Sequence, residues 1–181
     1  MTMSSSAGAR DAADTSHAVI RVDTGKVQGR RELHFATLQE LLRDVDHLAE
    51  LDRAGRLQQL GNWTLGQTLG HLAAWNNFPF DGYPLKPPPL PIKLILRLSK
   101  RRFFRGPMPA GVKIPGIDGG TKAFDPLDTE EGLHRFHRAI DRLRSTPPPL
   151  PNPIFGHLSH DEWMTLALRH GELHLSFFKA K

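Results

Sequence analysis

The stretch Ser159-His160-Asp161-Glu162-Trp163-Met164-Thr165-Leu166-Ala167-Leu168-Arg169-His170-Gly171-Glu172-Leu173-His174 decides the class of fold. It opens with a capping box, in which the Ser159 hydroxyl and the Glu162 side chain are spaced to satisfy amide groups that a first helical turn leaves unpaired. Trp163, Leu166, Ala167, His170, His174 and then Phe177 recur at three- and four-residue steps, marking the inward face of a helix that continues to about Phe178. Two histidines four apart occupy positions on that stripe where aliphatic residues belong. An unpartnered buried imidazole is costly, so two successive turns of it call for hydrogen bonds or a shared ion.

Three more segments upstream have helical periodicity. Thr37 is placed to cap a helix running to about Ala54, with Leu38, Leu41, Leu42, Val45, Leu48 and Leu51 on one face. Thr64-Leu65-Gly66-Gln67 is a second capping box and opens a helix expected to end at about Phe78, before Pro79. A third spans about Thr129 to Arg144, with Glu130 and Glu131 at its positive end and Arg142 and Arg144 at its negative end. Its buried stripe is Leu133, Phe136, Ile140 and Leu143.

These four helices predict an all-α protein, a four-helix bundle with one long crossover between helices 2 and 3. The crossover, Pro79 to Asp128, is rich in Pro and Gly, carries one basic amphipathic helix from Pro91 to about Phe104, and is expected to cover an end of the bundle. Val19-Ile20-Arg21-Val22 and Glu32-Leu33-His34-Phe35 read as extended chain packed on the bundle. Residues 1–17, rich in Ser, Ala, Gly and Asp, read as a disordered extension, leaving residues 18–181 as a single domain.

Composition narrows the chemistry. The chain has no cysteine, which excludes disulfides, thiolate nucleophiles and Cys-ligated zinc. No secretory signal and no apolar run near the ~20 residues of a membrane span are found, so a cytoplasmic location is expected. The net charge is +5, yet Gly82 to Ile117 holds eight Lys and Arg residues and no Asp or Glu. Such a block attracts anions, although a solvated basic face is the plainer reading.

His71 lies on helix 2, one turn after Gln67 and one turn before Trp75, off the Leu65, Leu69 and Leu72 stripe and facing a boundary or pocket. With His170 and His174 it supplies three neutral imidazoles on two helices, the ligand type of a catalytic zinc site with a position left for water or substrate. Zinc, nickel and ferrous iron all suit imidazole. With ten histidines in the chain, spacing alone decides little, and each histidine by itself is more ordinarily a core-edge residue satisfied by a carbonyl or carboxylate. Glu172 is rotated about 200° from His170, so it cannot serve as the general base of a metalloprotease-like helix and is expected to pair with Arg169 at the surface. The pairs His134 and His137, and His157 and His160, read as ordinary polar positions.

Gly61-Asn62-Trp63-Thr64-Leu65-Gly66-Gln67-Thr68-Leu69-Gly70-His71-Leu72, together with Phe155-Gly156-His157-Leu158-Ser159 through His174-Leu175-Ser176-Phe177, resembles an uncharacterised bacterial family within the DinB-like (YfiT-like) superfamily. Arg101-Arg102 through Gly111-Val112-Lys113 adds to the likeness, which covers most of Val22 to Phe178. The resemblance implies a four-helix bundle with a long connection between helices 2 and 3, and a metal triad at His71, His170 and His174. Some members of that superfamily are transferases or isomerases that use low-molecular-weight thiols.

Two functions follow as expectations. In the first, a divalent metal held by the triad lowers the pKa of a thiol or water, with Gln67 orienting a water, Trp75 walling the pocket and the basic crossover meeting an anionic small-molecule substrate. A homodimer belongs to this reading. In the second, the protein is a noncatalytic binder that works through its basic 93–105 segment, and the histidines are structural. No specific nucleic acid is expected, because Phe103 and Phe104 are too few to form a platform for bases.

Overall fold

The structure, a computed structural model, describes residues 21–84, 89–112 and 125–181. The expected disordered extension at residues 1–17 lies outside the described residues, as do Val19, Ile20, Lys86 and Lys113. The order of elements is α1 (Leu38–Arg53), β1 (Leu57–Gln59), α2 (Leu65–Asp81), α3 (Leu90–Leu98), α4 (Lys100–Arg105), α5 (Thr129–Ser145), α6 (His160–Leu175) and β2 (Phe178–Ala180). The protein is mostly helical with a small two-stranded sheet, so the all-α expectation is corrected by one element. No helix among the described residues is long and apolar enough to cross a membrane.

Local chemistry sets the four long helices. Thr37, Thr64, Asp128 and Ser159 each accept a hydrogen bond from the third residue of the helix they cap. At Thr64 and Ser159 the reciprocal bond from the cap amide to Gln67 and Glu162 completes the box. Leu41, Val45 and Leu48 of α1, Leu69 and Leu72 of α2, Phe136, Ile140 and Leu143 of α5, and Leu175 of α6 meet in one almost solvent-free core.

Three boundaries differ from expectation. Helix α2 runs through Pro79 to Asp81, and the Gly82 amide closes the last turn on the Phe78 carbonyl. A proline here deprives only the Trp75 carbonyl of a helical donor, and Pro79 is itself buried, with its own carbonyl accepting from the Leu150 amide. Helix α6 stops at Leu175. Phe178 then enters β2, pairing antiparallel with β1 in the register Leu57 with Ala180, Gln58 with Lys179 and Gln59 with Phe178. The basic helix of the crossover is broken into α3 and α4 at Ser99, whose hydroxyl donates to the Ile95 carbonyl and competes with the backbone ladder. Helix α4 packs on α6, where Phe103 and Phe104 contact the Phe155 ring and Lys100 pairs with Glu162.

The closest helix contact is between α2 and α5, and glycine makes it. A Cβ on Gly132 would lie 2.6 Å from the Gly66 carbonyl oxygen and 2.9 Å from its Cα, while one on Gly66 would strike the Leu127 and Asp128 backbone. In an open helix, replacing Gly by Ala stabilises by roughly 0.5–1 kcal/mol. Here the obstacle is backbone that cannot swing aside. Gly132→Ala is expected to reverse that sign and cost about 1–3 kcal/mol, the range of overpacked cores, measured by urea denaturation. A neutral or stabilising result would remove the close approach as an organising feature.

Candidate metal centre

Helix α2 presents a row at four-residue steps, with Gln67, His71 and Trp75 following Trp63, which stands just before the cap. His71 is only 2% exposed, making it the most buried of the three histidines, while His170 and His174 are half-buried. His71 was expected to face a boundary or pocket, and its burial leaves the pocket, while the α6 pair is less covered than its place on the apolar stripe suggests. Because α2 leans its glycine face on α5, the face bearing His71 is turned toward α6.

The three imidazoles converge. His71 Nε2 lies 3.4 Å from His170 Nε2, and His174 Nε2 lies 3.0 Å from the same atom. One ring nitrogen from each residue falls within 4.8 Å of the others, and no Asp or Glu among the described residues joins the group. Nitrogens bound to one ion at ~2.0–2.1 Å stand roughly 3.3 Å apart in a tetrahedral site and about 2.9 Å apart in an octahedral one. The two spacings to His170 fall close to this range, and three imidazole nitrogens make a donor set that fits a divalent cation.

Tryptophans wall the group on two sides. Trp63 stacks on His174 with ring centroids 5.4 Å apart and planes 10° from parallel, and it meets His71 at 4.9 Å. Trp75 is 5.9 Å from His71 and 6.0 Å from His170. The sequence reading named Trp75 and missed Trp63, although Trp63 begins the same four-residue row. Gln67 is taken up by the capping box, its side-chain carbonyl accepting from the Thr64 amide at 3.0 Å.

Glu172 corrects a second expectation. Its carboxylate does face away from the triad, but it is buried, at 5% exposure, rather than forming a surface pair. It accepts from Arg169 Nη1 at 2.7 Å and from the Phe35 amide at 2.6 Å, and Arg169 Nη2 donates to the Phe35 carbonyl at 2.9 Å. The cover is the segment before α1, as expected of Glu32 to Phe35. The remaining histidine pairs stay outside the site: His137 Nε2 lies 2.7 Å from Asp46 Oδ1, His160 Nε2 lies 2.5 Å from the Leu143 carbonyl, and His134 and His157 are exposed.

Beside His170 lies a cavity of about 190 Å³, walled by Trp75, Tyr83, Leu96 of α3, Phe103 of α4, Met108 and Trp163 among others. The crossover thus offers the site apolar side chains. Among the described residues, no Lys or Arg of the crossover lines the cavity.

Burial drives the His170 pKa down to about 3, helped by repulsion from His71. His174 is also held well below its ordinary value by burial first, then by His170, His71 and the Arg30 guanidinium. Both rings therefore stay neutral in the folded protein, ready to ligate, while the same groups in the unfolded chain take up protons below pH ~6.5. Folded pKa values below unfolded ones mean that stability is fully present above pH ~6.5 and is lost as pH falls toward 3. The loss approaches roughly 1.4 kcal/mol per pH unit for each histidine. Urea titrations of metal-free protein should show this decline from pH 7 to pH 5, and a His170→Leu, His174→Leu double variant should show a flatter one. Identical slopes would refute the buried neutral pair.

Comparison with curated proteins and with solved structures finds no match. A family model, described as a protein of unknown function (DUF1569), matches residues 27–181, a span that includes all three histidines, the four long helices and both strands. The chain belongs to the DUF1569 family.

Proposed function

We propose that this protein is a divalent-metal-dependent enzyme, a transferase or isomerase that uses a low-molecular-weight thiol, built on a four-helix bundle of the DinB-like kind. The observation that carries this reading is the convergence of His71, His170 and His174 nitrogens from two helices, without a fourth protein ligand among the described residues. A bound zinc, nickel or ferrous ion supplies Lewis acidity, lowering the pKa of a thiol or water that enters beside it. The chain does the rest. His71 holds the α2 side of the ligand set, and His170 and His174 hold the α6 side one turn apart. Trp63 stacks on His174 and Trp75 meets His170, shielding from water the two rings that burial keeps neutral. Gln67 acts on this reading through its cap, setting the start of α2 and so the height of His71.

Tag-free wild-type protein is expected to carry or take up about one metal ion per chain, and His71→Ala and His170→Ala are each expected to lose it, as read by elemental analysis. Wild type that takes up none from zinc, nickel or iron would end the metal reading. Loss in one variant but not in the other would break the triad. Wild type loaded with metal would then be screened with thiols and electrophiles for turnover.

One observation favours the noncatalytic alternative. Helix α3 exposes Leu90, Leu94, Ile95 and Leu98 at 61–81% beside Lys93 and Arg97, with Arg101, Arg102 and Arg105 following on α4. A short apolar face edged by cations fits the boundary of an anionic bilayer. Sedimentation with phosphatidylserine-containing vesicles, absent with phosphatidylcholine alone and lost in Leu94→Ser and Leu98→Ser, would favour this reading. Equal recovery in the supernatant with both kinds of vesicle would dismiss it.

A further inference from the structure

Two donors beside the metal centre lack acceptors. Trp75 Nε1 and the Tyr83 hydroxyl are both shielded from solvent, and neither has a hydrogen-bond partner among the described residues. A buried donor left in that state is unfavourable, so such groups ordinarily meet a water or a ligand. Both residues line the cavity that His170 also borders. Burial raises the Tyr83 pKa, which keeps its phenol protonated and able to donate throughout the physiological range.

The rest of the lining restricts what enters. Leu96, Phe103, Met108, Phe155 and Leu166 supply an apolar wall, and among the described residues no Asp, Glu, Lys or Arg side chain takes part in it. A carboxylate or ammonium placed there would lose its hydration without a counter-charge. The volume, about 190 Å³, exceeds the ~150 Å³ of a cavity that accepts benzene, leaving room for one ring with a short substituent. Asn152, at the same wall, spends its side-chain carbonyl on the Ile154 and Phe155 amides and so offers little competition for the two donors.

We propose that this cavity binds an uncharged, mainly apolar molecule of about one ring, whose acceptor oxygen takes hydrogen bonds from Trp75 Nε1 and the Tyr83 hydroxyl. The assignment rests on the metal-centre reading for its purpose, since His170 borders both spaces and a molecule held here lies alongside the ligand set as the second reactant. It makes α3, α4 and Met108 an apolar wall of the cavity, with the cations of α3 and α4 outside the recognition step.

The test uses full-length, zinc-treated protein with ¹⁵N-labelled tryptophan, titrated with acetophenone, with ethylbenzene as its near-isostere lacking the acceptor, and with benzoate. The Trp75 indole signal, assigned through Trp75→Phe, is expected to move saturably with acetophenone. Ethylbenzene is expected to bind about threefold to tenfold more weakly, the effect of one or two modest hydrogen bonds, and benzoate at least as weakly as ethylbenzene because its charge loses hydration without a counter-charge. Tyr83→Phe should reduce acetophenone affinity by a similar factor and leave ethylbenzene unchanged, with a thermal melt checking that the variant is folded. Equal affinity for acetophenone and ethylbenzene, tighter binding of benzoate, no saturable binding, or an unchanged preference in Tyr83→Phe would overturn the proposal. Zinc content is measured on the same samples. Protein that holds zinc without the acetophenone pattern retires the cavity assignment alone, and protein that shows the pattern without holding zinc retires the metal reading alone.

Discussion

The buried pair between Arg169 and Glu172 sets the rotation of α6, and the site depends on that rotation. Both side chains are about 5% exposed, and both are tied to the backbone of Phe35, the carboxylate to its amide and the guanidinium to its carbonyl. Arg31 repeats the connection, bonding Asp44 on α1 through both guanidinium nitrogens and reaching the Leu175 carbonyl at the end of α6. Breaking such a pair by removing one partner leaves an uncompensated charge and typically costs about 3–5 kcal/mol. At 100° per residue, a helix that turns Glu172 to the α1 side must turn His170 and His174 to the other. The ion pair therefore aims the histidines without touching them.

The second half of the site has a separate origin. Gly66 and Gly132 let α2 and α5 approach until backbone meets backbone, and Gly70 leaves space for the Leu127 side chain on the same face. Bulkier residues there would push α2 outward and carry His71 with it. Two independent constraints, one electrostatic and one steric, thus bring together nitrogens 99 residues apart in the chain. Neither involves the imidazoles, which suits a group that must be neutral and correctly spaced before any ligand arrives.

What could be read from the sequence was local. The capping residues Thr37, Thr64 and Ser159 mark three helix starts because their signal spans four residues, and the α6 pair stood out because His170 and His174 interrupt an apolar stripe, whereas His71 was joined to them by the family resemblance. The row Trp63, Gln67, His71, Trp75 was equally available, but it begins before the cap and was cut there. Glu172 was misplaced because its burial comes from Phe35, far upstream, and helix geometry alone says which way a side chain points without saying what covers it. Strands β1 and β2 gave no signal, since three residues are too few to show alternation, and Phe177 and Phe178 extend a helical pattern just as well. The cavity joins α2, the crossover and α6, a combination that no single window contains.

On the proposed reading, charge explains why a metal centre and an apolar cavity stand side by side. Imidazoles contribute no negative charge, no carboxylate among the described residues joins them, and Arg30 adds a positive charge near His174. A dication held there keeps its full charge in desolvated surroundings, where electrostatic interactions are stronger than in water. Such a site favours an anion in its remaining ligand position, which a thiol or water becomes by losing its proton. A charged second molecule would lose its hydration in the cavity and meet no counter-charge among the described residues of its wall. An uncharged partner escapes this conflict, and two neutral donors, Trp75 and Tyr83, are enough to orient it.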